Sequence, residues 1–269
     1  MRRHGHPQNL NTHIISRSDD ALFEPAYTVL NDYFGSRNEM ESKAVISARF
    51  NWRANEVIDG YSMLYQLAYI TDENDALAAV GDYSVVINHK ACESGQAVVV
   101  HLSHIWVNPQ KPGRGIVKHL MHSLSTEAAE LAIKTAQLAP NTPITLVGEM
   151  EPYEAGNEER VRRIKVFLYN GLRLVDPASI PYCQPDFRSS KEIAAAQHSS
   201  PVPLSLMVRR VNREEQQNTN AKEIKHIVAC LYHMYAQGLS PKAIEDANLT
   251  LETYPSDGES VALLSRLPA

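Results

Sequence analysis

Residues 107–121, VNPQKPGRGIVKHLM, decide the fold. Upstream, in QAVVVHLSHIWV (96–107), apolar residues run almost without interruption, the habit of a buried strand. From Ile116 onward they fall at Leu120, Met121, Leu124, Ala128 and Leu131, a helical period of about five turns. Between the two periods stand Gly113 and Gly115, with Lys111, Arg114 and Lys118 around them. The start of a helix leaves backbone N–H groups unsatisfied and carries the positive end of the macrodipole. Glycine lets an anion approach those groups closely. A strand, a glycine turn and a cation-flanked helix start therefore point to a phosphate or pyrophosphate; a plain tight turn is the competing reading.

The Walker pattern needs four residues between its glycines and then Lys-Ser/Thr, which are absent. The dinucleotide pattern needs G-x-G-x-x-G within a parallel βαβ unit, and here Gly115 is followed by Ile-Val-Lys. The segment resembles instead the acyl-CoA loop of the GNAT superfamily of N-acetyltransferases: V-x-P, two residues, Arg or Gln, Gly, any residue, Gly, Ile/Leu and a small residue. Val107, Pro109, Gly113, Gly115, Ile116 and Leu120 match in that register. Pro112 stands where Arg or Gln is usual, and Val117 where a small residue is usual. A register started at Gln110 recovers the polar residue but breaks the V-x-P spacing.

The resemblance implies an α+β (mixed α/β), GNAT-like fold: a central, mostly antiparallel sheet of about seven strands flanked by helices, over residues 20–211. A flexible tail (1–19) would precede it and a C-terminal helical extension (212–269) would follow. It also implies acetyl-CoA as acyl donor. Backbone at Ile105, Trp106 and Val107 would hold the pantetheine arm. Lys111, Pro112, Gly113, Arg114, Gly115, Ile116 and Val117 would surround the pyrophosphate. Pro112 offers no N–H, so this loop has one donor fewer. The expected chemistry is N-acylation of a primary amine by direct attack in a ternary complex.

A second signature of the family, F-Y-x-x-x-G-F at a helix end, resembles RRIKVFLYNGLRLVD (162–176) with Gly171 as anchor. The tyrosine that protonates the leaving thiolate then falls on Phe167. Tyr169, two residues on, is about 200° around a helix from it. Tyr169 and Tyr182 are both candidates for that proton, and Phe167 reads as a core aromatic. For the base, Glu149 and Glu151 in VGEMEP are two apart and expected on one face of a strand, where mutual repulsion suits one of them to accept a proton. Glu149 is the first choice. His101 and His104 are three apart, so one is expected to face outward. On the acceptor side, Glu39, Glu41 and His104 are candidates to meet a cationic amine, although acidic residues also stabilise a helix start.

Around this centre, periodicity predicts helices in DDALFEPAYTVLNDYF (19–34) and ESKAVISARFNW (41–52). YSMLYQLAYI and ALAAVGDYSVVIN read as a hairpin about TDEND, and HKACESG as the next turn. TPITLVGEM, LRLV and PVPLSLMVRRV are the later strands, NEERVRRIKVFLYNG a helix stopped by Gly171, and 176–200 a long loop. NREEQQNTN reads as a linker. After it, helical spacing at Ile224, Ile227, Val228, Leu231 and Tyr235, with Ser240 and Pro241 opening another helix, predicts a hairpin without catalytic residues.

Composition narrows the classes. With 269 residues, 43% hydrophobic and 21% charged, the chain can bury a sizeable core. A net charge of −5 gives no basic footprint for nucleic acid. Three scattered cysteines, Cys92, Cys183 and Cys230, supply neither a disulfide framework nor metal-ligand spacing, so a reducing cytoplasm is expected. No apolar run is long enough to span a bilayer, and MRRHGHPQNLNTH has no apolar core of a secretory signal. His4, His6 and His13 in it read as part of a solvated tail rather than as metal ligands. The expected partners are an acyl-CoA and a small-molecule or peptide amine, with no nucleic acid or membrane; a homodimer is compatible. Two rival readings are a non-catalytic GNAT-like module and a nucleotide-binding protein.

Overall fold

The computed structural model describes residues 10–37, 39–111 and 115–267, and of Arg37 only the backbone. They divide into two compact units. One is built from the chain up to His89 and from Val100–Thr142; the other from Lys90–Val99 and from Pro143 onward.

In the first unit β1 (Leu10–Ile15), β2 (Tyr61–Asp72), β3 (Leu77–Asn88) and β4 (Val98–Val107) follow one another across the sheet. β1–β2 and β2–β3 are antiparallel. The hairpin at TDEND forms because the Asp72 carboxylate accepts from the backbone N–H of Asn74 and of Ala76, both at 3.0 Å. Helices α1 (Phe23–Phe34) and α2 (Lys43–Arg49) close one sheet face, burying Phe23, Ala26, Leu30 and Ile46 against Ile15, Tyr65, Leu67 and Val80. The expected turn at HKACESG carries a short helix, α3 (His89–Glu93), which from Lys90 on belongs to the second unit.

The long helix after Gly115 also forms, with one departure from its predicted period. α4 (Ile116–Lys118) passes through a π-helical turn, His119–Leu124, into α5 (Ser125–Thr135). The Ser125 hydroxyl donates back to the Met121 carbonyl at 2.9 Å, and Thr12 Oγ1 of β1 meets His119 Nε2 at 3.1 Å. Gly81 of β3 makes room for this helix, because a Cβ there would lie 3.0 Å from Leu120.

The second unit orders its strands β5 (Ile144–Met150), β8 (Val202–Arg210), β6 (Arg173–Val175), β10 (Ser260–Leu264) and β9 (Asn218–Asn220). β7 (Tyr182–Gln184) also pairs with β8, and these pairings are antiparallel. Helix α6 (Glu158–Tyr169) is capped by Asn157 and stopped where Gly171 takes φ +83°. The predicted C-terminal hairpin is α8 (Ala221–Ala236) and α9 (Pro241–Asn248).

The architecture is the expected mixed α/β fold, mostly antiparallel and flanked by helices, with ten strands among the described residues. Four of these the periodicity does not announce. β1 lies within the expected tail: Ile15 is fully buried, and the strand pairs along β2 from Leu10↔Asp72 to Ile15↔Leu67. The long loop at 176–200 contains β7 and a helix, α7 (Ser190–Ala196), opened by a capping box of Ser189 and Glu192. The linker supplies β9, and β10 returns from the C-terminal segment to pair with β6. β7, β9 and β10, of three to five residues, carry too few alternations to register as a period, and the six residues of β1 mix polar and apolar types; partners, not propensity, make them. His13 is exposed and bonds Asp20 at 2.9 Å, while His4 and His6 lie outside the described residues. Among the described residues no helix is long and apolar enough to cross a membrane.

Candidate functional site

The strand–loop–helix segment belongs to the first unit. β4 is buried on both faces up to Leu102 and becomes half-buried at Ile105, Trp106 and Val107, so its last residues have backbone near solvent. Asn108 then fastens the turn. Its N–H donates to the Ala78 carbonyl at 2.9 Å, its side-chain amide donates to the Leu77 carbonyl at 3.0 Å, and its Oδ1 accepts from the Gln110 N–H at 2.9 Å. Pro112, Gly113 and Arg114 lie outside the described residues. Gly115 re-enters at φ +70°, ψ +13°, the left-handed region, and stands as N-cap with no side chain to satisfy the first helical N–H groups. Ile116 is fully buried and anchors the helix, Val117 is half-buried, and Lys118 is exposed.

Lys111 has a different partner from the one expected. Its ammonium pairs with Asp72 at the end of β2, and this pairing, with N–H donors from Asn74 and Ala76, pulls the Asp72 carboxyl down to about 2. Lys111 therefore fastens the loop to the β2–β3 turn.

A second polar cluster, also in the first unit, surrounds Asp82 of β3, which is fully buried. Asp82 Oδ1 accepts from the His104 backbone N–H at 2.8 Å and meets His104 Nδ1 at 3.0 Å; Oδ2 accepts from the Tyr65 hydroxyl at 2.9 Å. His104 Nε2 meets the Glu39 carbonyl at 2.9 Å. Burial pushes the His104 pKa down, but the charge of Asp82 and its hydrogen bond outweigh this and bring it up to about 9. Burial likewise opposes ionisation of Asp82, and the His104 charge overcomes it, leaving that carboxyl below its ordinary range. The expectation that one of His101 and His104 faces outward fails. Both are buried because β4 is covered on both faces, and His101 Nδ1 bonds Ser103 Oγ at 3.0 Å.

Glu39 and Glu41 precede α2 rather than opening it, since Ser42 is the cap. Glu41 is buried and paired with Arg49, whose guanidinium also lies 5.5 Å from the Trp52 ring and 5.9 Å from the Tyr65 ring. Of the two acids that the sequence offers to an amine, Glu41 holds a guanidinium in the core, and the backbone carbonyl of Glu39 meets His104.

The third cluster is in the second unit and gathers around Glu149. Pairing of β5 with β8 sets Glu149 opposite Leu206, and pairing of β7 with β8 sets Tyr182 opposite Leu204. Leu204 and Leu206 are two apart, so Glu149 and Tyr182 share a sheet face. Their side chains meet: the Tyr182 hydroxyl donates to Glu149 Oε1, and the Tyr235 hydroxyl of α8 donates to Oε2. Gln184 Nε2 donates to the same oxygen at 3.4 Å and to the Tyr235 hydroxyl at 3.2 Å. Burial, then the Glu149 charge, hold the Tyr182 phenol well above its ordinary range, so it stays protonated and donates.

Glu151 does not join Glu149. β5 ends at Met150, so the period-two relation stops there, and Glu151 pairs with Arg163 of α6 at 2.6 Å. Glu149 accepts from two aromatic hydroxyls, while Glu151 is turned to Arg163. Phe167, expected in the core, is half-buried: its ring rests on Gly148, where a Cβ would come within 2.8 Å. Tyr169 is 92% exposed at the end of α6, turned away from that contact as its position around the helix requires. Two participants escape sequence reasoning. Asn108 offers only the general turn preference of asparagine, and Tyr235 is one apolar position in a helical stripe.

No protein-family profile and no curated protein matches the chain. Among solved structures it is similar to one described as an acyl-CoA N-acyltransferase from Klebsiella pneumoniae, at 12% identity over 76% of this chain and 99% of that one, with a TM-score of 0.33. It is similar to an acetyltransferase structure from Acinetobacter baylyi at 14% identity, over 75% and 93% of the two chains, with a TM-score of 0.40. A third similar structure is a spermidine N-acetyltransferase variant from Vibrio cholerae, at 9% identity over 77% and 97%, with a TM-score of 0.38.

Proposed function

We propose that the protein is an acyl-CoA-dependent N-acetyltransferase that takes acetyl-CoA as donor and acylates a primary amine by direct attack. The observation that carries this reading is the passage from β4 to its helix. A half-buried strand end is fastened by Asn108, and the chain re-enters through a left-handed Gly115 at an uncapped helix start, in a segment that resembles an acyl-CoA loop. The backbone of Ile105–Val107 would receive the pantetheine amides, and the first N–H groups after Gly115 the pyrophosphate.

The thioester is already activated, so the chain has to position the amine and remove its proton. Glu149 is the proposed acceptor of that proton. For the departing thiolate the reading offers Tyr182, beside Glu149, ahead of the solvent-exposed Tyr169. The rival, a module that binds acyl-CoA without turnover, is favoured by Phe167, a ring without a hydroxyl seated on Gly148.

Calorimetric titration with acetyl-CoA and thiol release over an amine panel separate the two. Binding with thiol release supports the enzyme; binding without release on any amine supports the rival; no binding refutes both. In Gly115→Val a β-branched residue is forced to φ +70°, a strain of about 1–3 kcal/mol. Acetyl-CoA affinity is expected to fall about tenfold or more, and unchanged affinity would show that this helix start does not hold the donor.

A further inference from the structure

The passage from β4 to its helix is fastened at its entrance by the hairpin beside it, and all the partners lie in the first unit. We propose that Asp72, at the end of β2, is a positioning residue of the donor site. It holds Lys111 as a strut between the loop and the β2–β3 turn, in place of the pyrophosphate contact that the sequence assigns to that lysine. This rests on the reading that the segment from β4 to the helix holds an acyl-CoA.

The corner that leads into the loop is built locally. In NPQK (108–111) asparagine opens a four-residue turn and proline takes its second place, the order that such turns prefer. The Lys111 N–H closes the turn by donating to the Asn108 carbonyl at 2.9 Å, and the Gln110 N–H donates to Asn108 Oδ1 at 2.9 Å. Two ties then fix this corner to the neighbouring hairpin. Asn108 ties its first residue to the start of β3, through the carbonyls of Leu77 and Ala78. Asp72 ties its last residue to the end of β2, through the Lys111 ammonium. The corner is thus gripped from both strands that meet at TDEND.

The Asp72 carboxylate divides its oxygens between two tasks. Oδ1 accepts from the N–H groups of Asn74 and Ala76, both at 3.0 Å, which shapes the hairpin turn. Oδ2 accepts from Lys111. The carboxylate is buried and the lysine half-buried, so salt screens this pair less than a surface pair. Its net charge is zero, so it offers a pyrophosphate no net attraction. What it supplies is order. A chain fixed at Lys111 before the glycines, and at the fully buried Ile116 after them, has less freedom to lose when a donor binds.

The test uses the full chain with Asp72→Asn, Lys111→Gln and the two together, each checked by thermal melting. Asp72→Asn is the informative change: an amide oxygen still accepts from Asn74 and Ala76, while the charge that holds Lys111 is gone. Calorimetric titration with acetyl-CoA reads the affinity of folded molecules as Kd and their share as stoichiometry. Partial unfolding therefore does not pass for weaker binding. Each single variant is expected to raise Kd for acetyl-CoA about fivefold to tenfold. On the amine that gives the fastest thiol release, KM for acetyl-CoA should rise with it while kcat stays within about twofold. The double variant should bind no more weakly than the weaker single one, because either change already removes the strut. If Lys111 were a pyrophosphate ligand, Asp72→Asn would free its charge and leave the affinity unchanged or tighter, with Lys111→Gln alone weakening it. That pattern overturns the proposal; so do a Lys111→Gln chain that binds within about twofold of wild type, and losses that add in the double variant. A wild-type chain that binds no acetyl-CoA overturns instead the reading on which the proposal rests.

Discussion

At the scale of single residues, the buried cluster around Asp82 pairs a carboxylate with an imidazolium inside the first unit, while in the second unit the half-buried Glu149 accepts from the hydroxyls of Tyr182 and Tyr235. The His104 pKa, raised from 6.5 to about 9, makes the first cluster a source of pH-dependent stability. A group whose pKa is higher folded than unfolded stabilises fully below the unfolded value and loses that contribution as pH rises through the folded one. Unfolding free energy is therefore expected to decline between about pH 6.5 and pH 9, by at most about 1.4 kcal/mol per pH unit from this group. His104→Gln should lack this decline. Denaturant titrations at several pH values measure both, and a wild-type stability flat across that window would refute the charged pair. Position 104 shows how far sequence reading reaches. Its strand was legible, but its inward direction depends on Asp82, a residue 22 positions away.

At the scale of elements, close approach is bought at glycine. Gly148 lets α6 lay the Phe167 ring directly on β5. In Gly148→Ala the new methyl would meet that ring at 2.8 Å, and the displacement is expected to cost about 1–3 kcal/mol. Phe167→Leu in the same chain removes the ring edge and should recover part of the loss, so the double-mutant cycle gives a coupling of opposite sign to the single effects. Urea unfolding of the four proteins measures it; additive losses would mean that the ring does not rest on that glycine. The helix and strand here were legible from their periods. The π-helical turn at His119–Leu124 was not, because one extra residue per turn leaves the apolar spacing nearly unchanged.

At the scale of the whole molecule, the last 58 or so residues are structural rather than appended, by the measure of what they bury. α8 buries Ile224, Ile227, Val228, Leu231, Met234 and Tyr235 among others, and β10 pairs Leu263 with Val175 and Leu264 with Leu174 of β6. A chain ended at Asn212 would expose those surfaces and leave Glu149 without Tyr235. Such a truncation is expected to lose cooperative unfolding of the second unit, with faster proteolysis after Pro143. A truncated chain as resistant to protease as the full one would show that the extension is a separate body.

By itself the sequence determined where the long elements lie and what type they are. It also marked 107–121 as the junction of strand, glycine turn and helix, because hydrophobic period and glycine are local properties that any fold must respect. Only the tertiary structure decided which polar residues meet: Lys111 with Asp72, Glu41 with Arg49, Glu151 with Arg163, and Glu149 with Tyr182 and Tyr235. It likewise decided that β1, β7, β9 and β10 exist at all. The physical reason is the same in both cases. A hydrogen bond or ion pair needs geometry that sequence spacing does not carry, and a strand of a few residues is stabilised by the neighbour it pairs with, not by its own pattern.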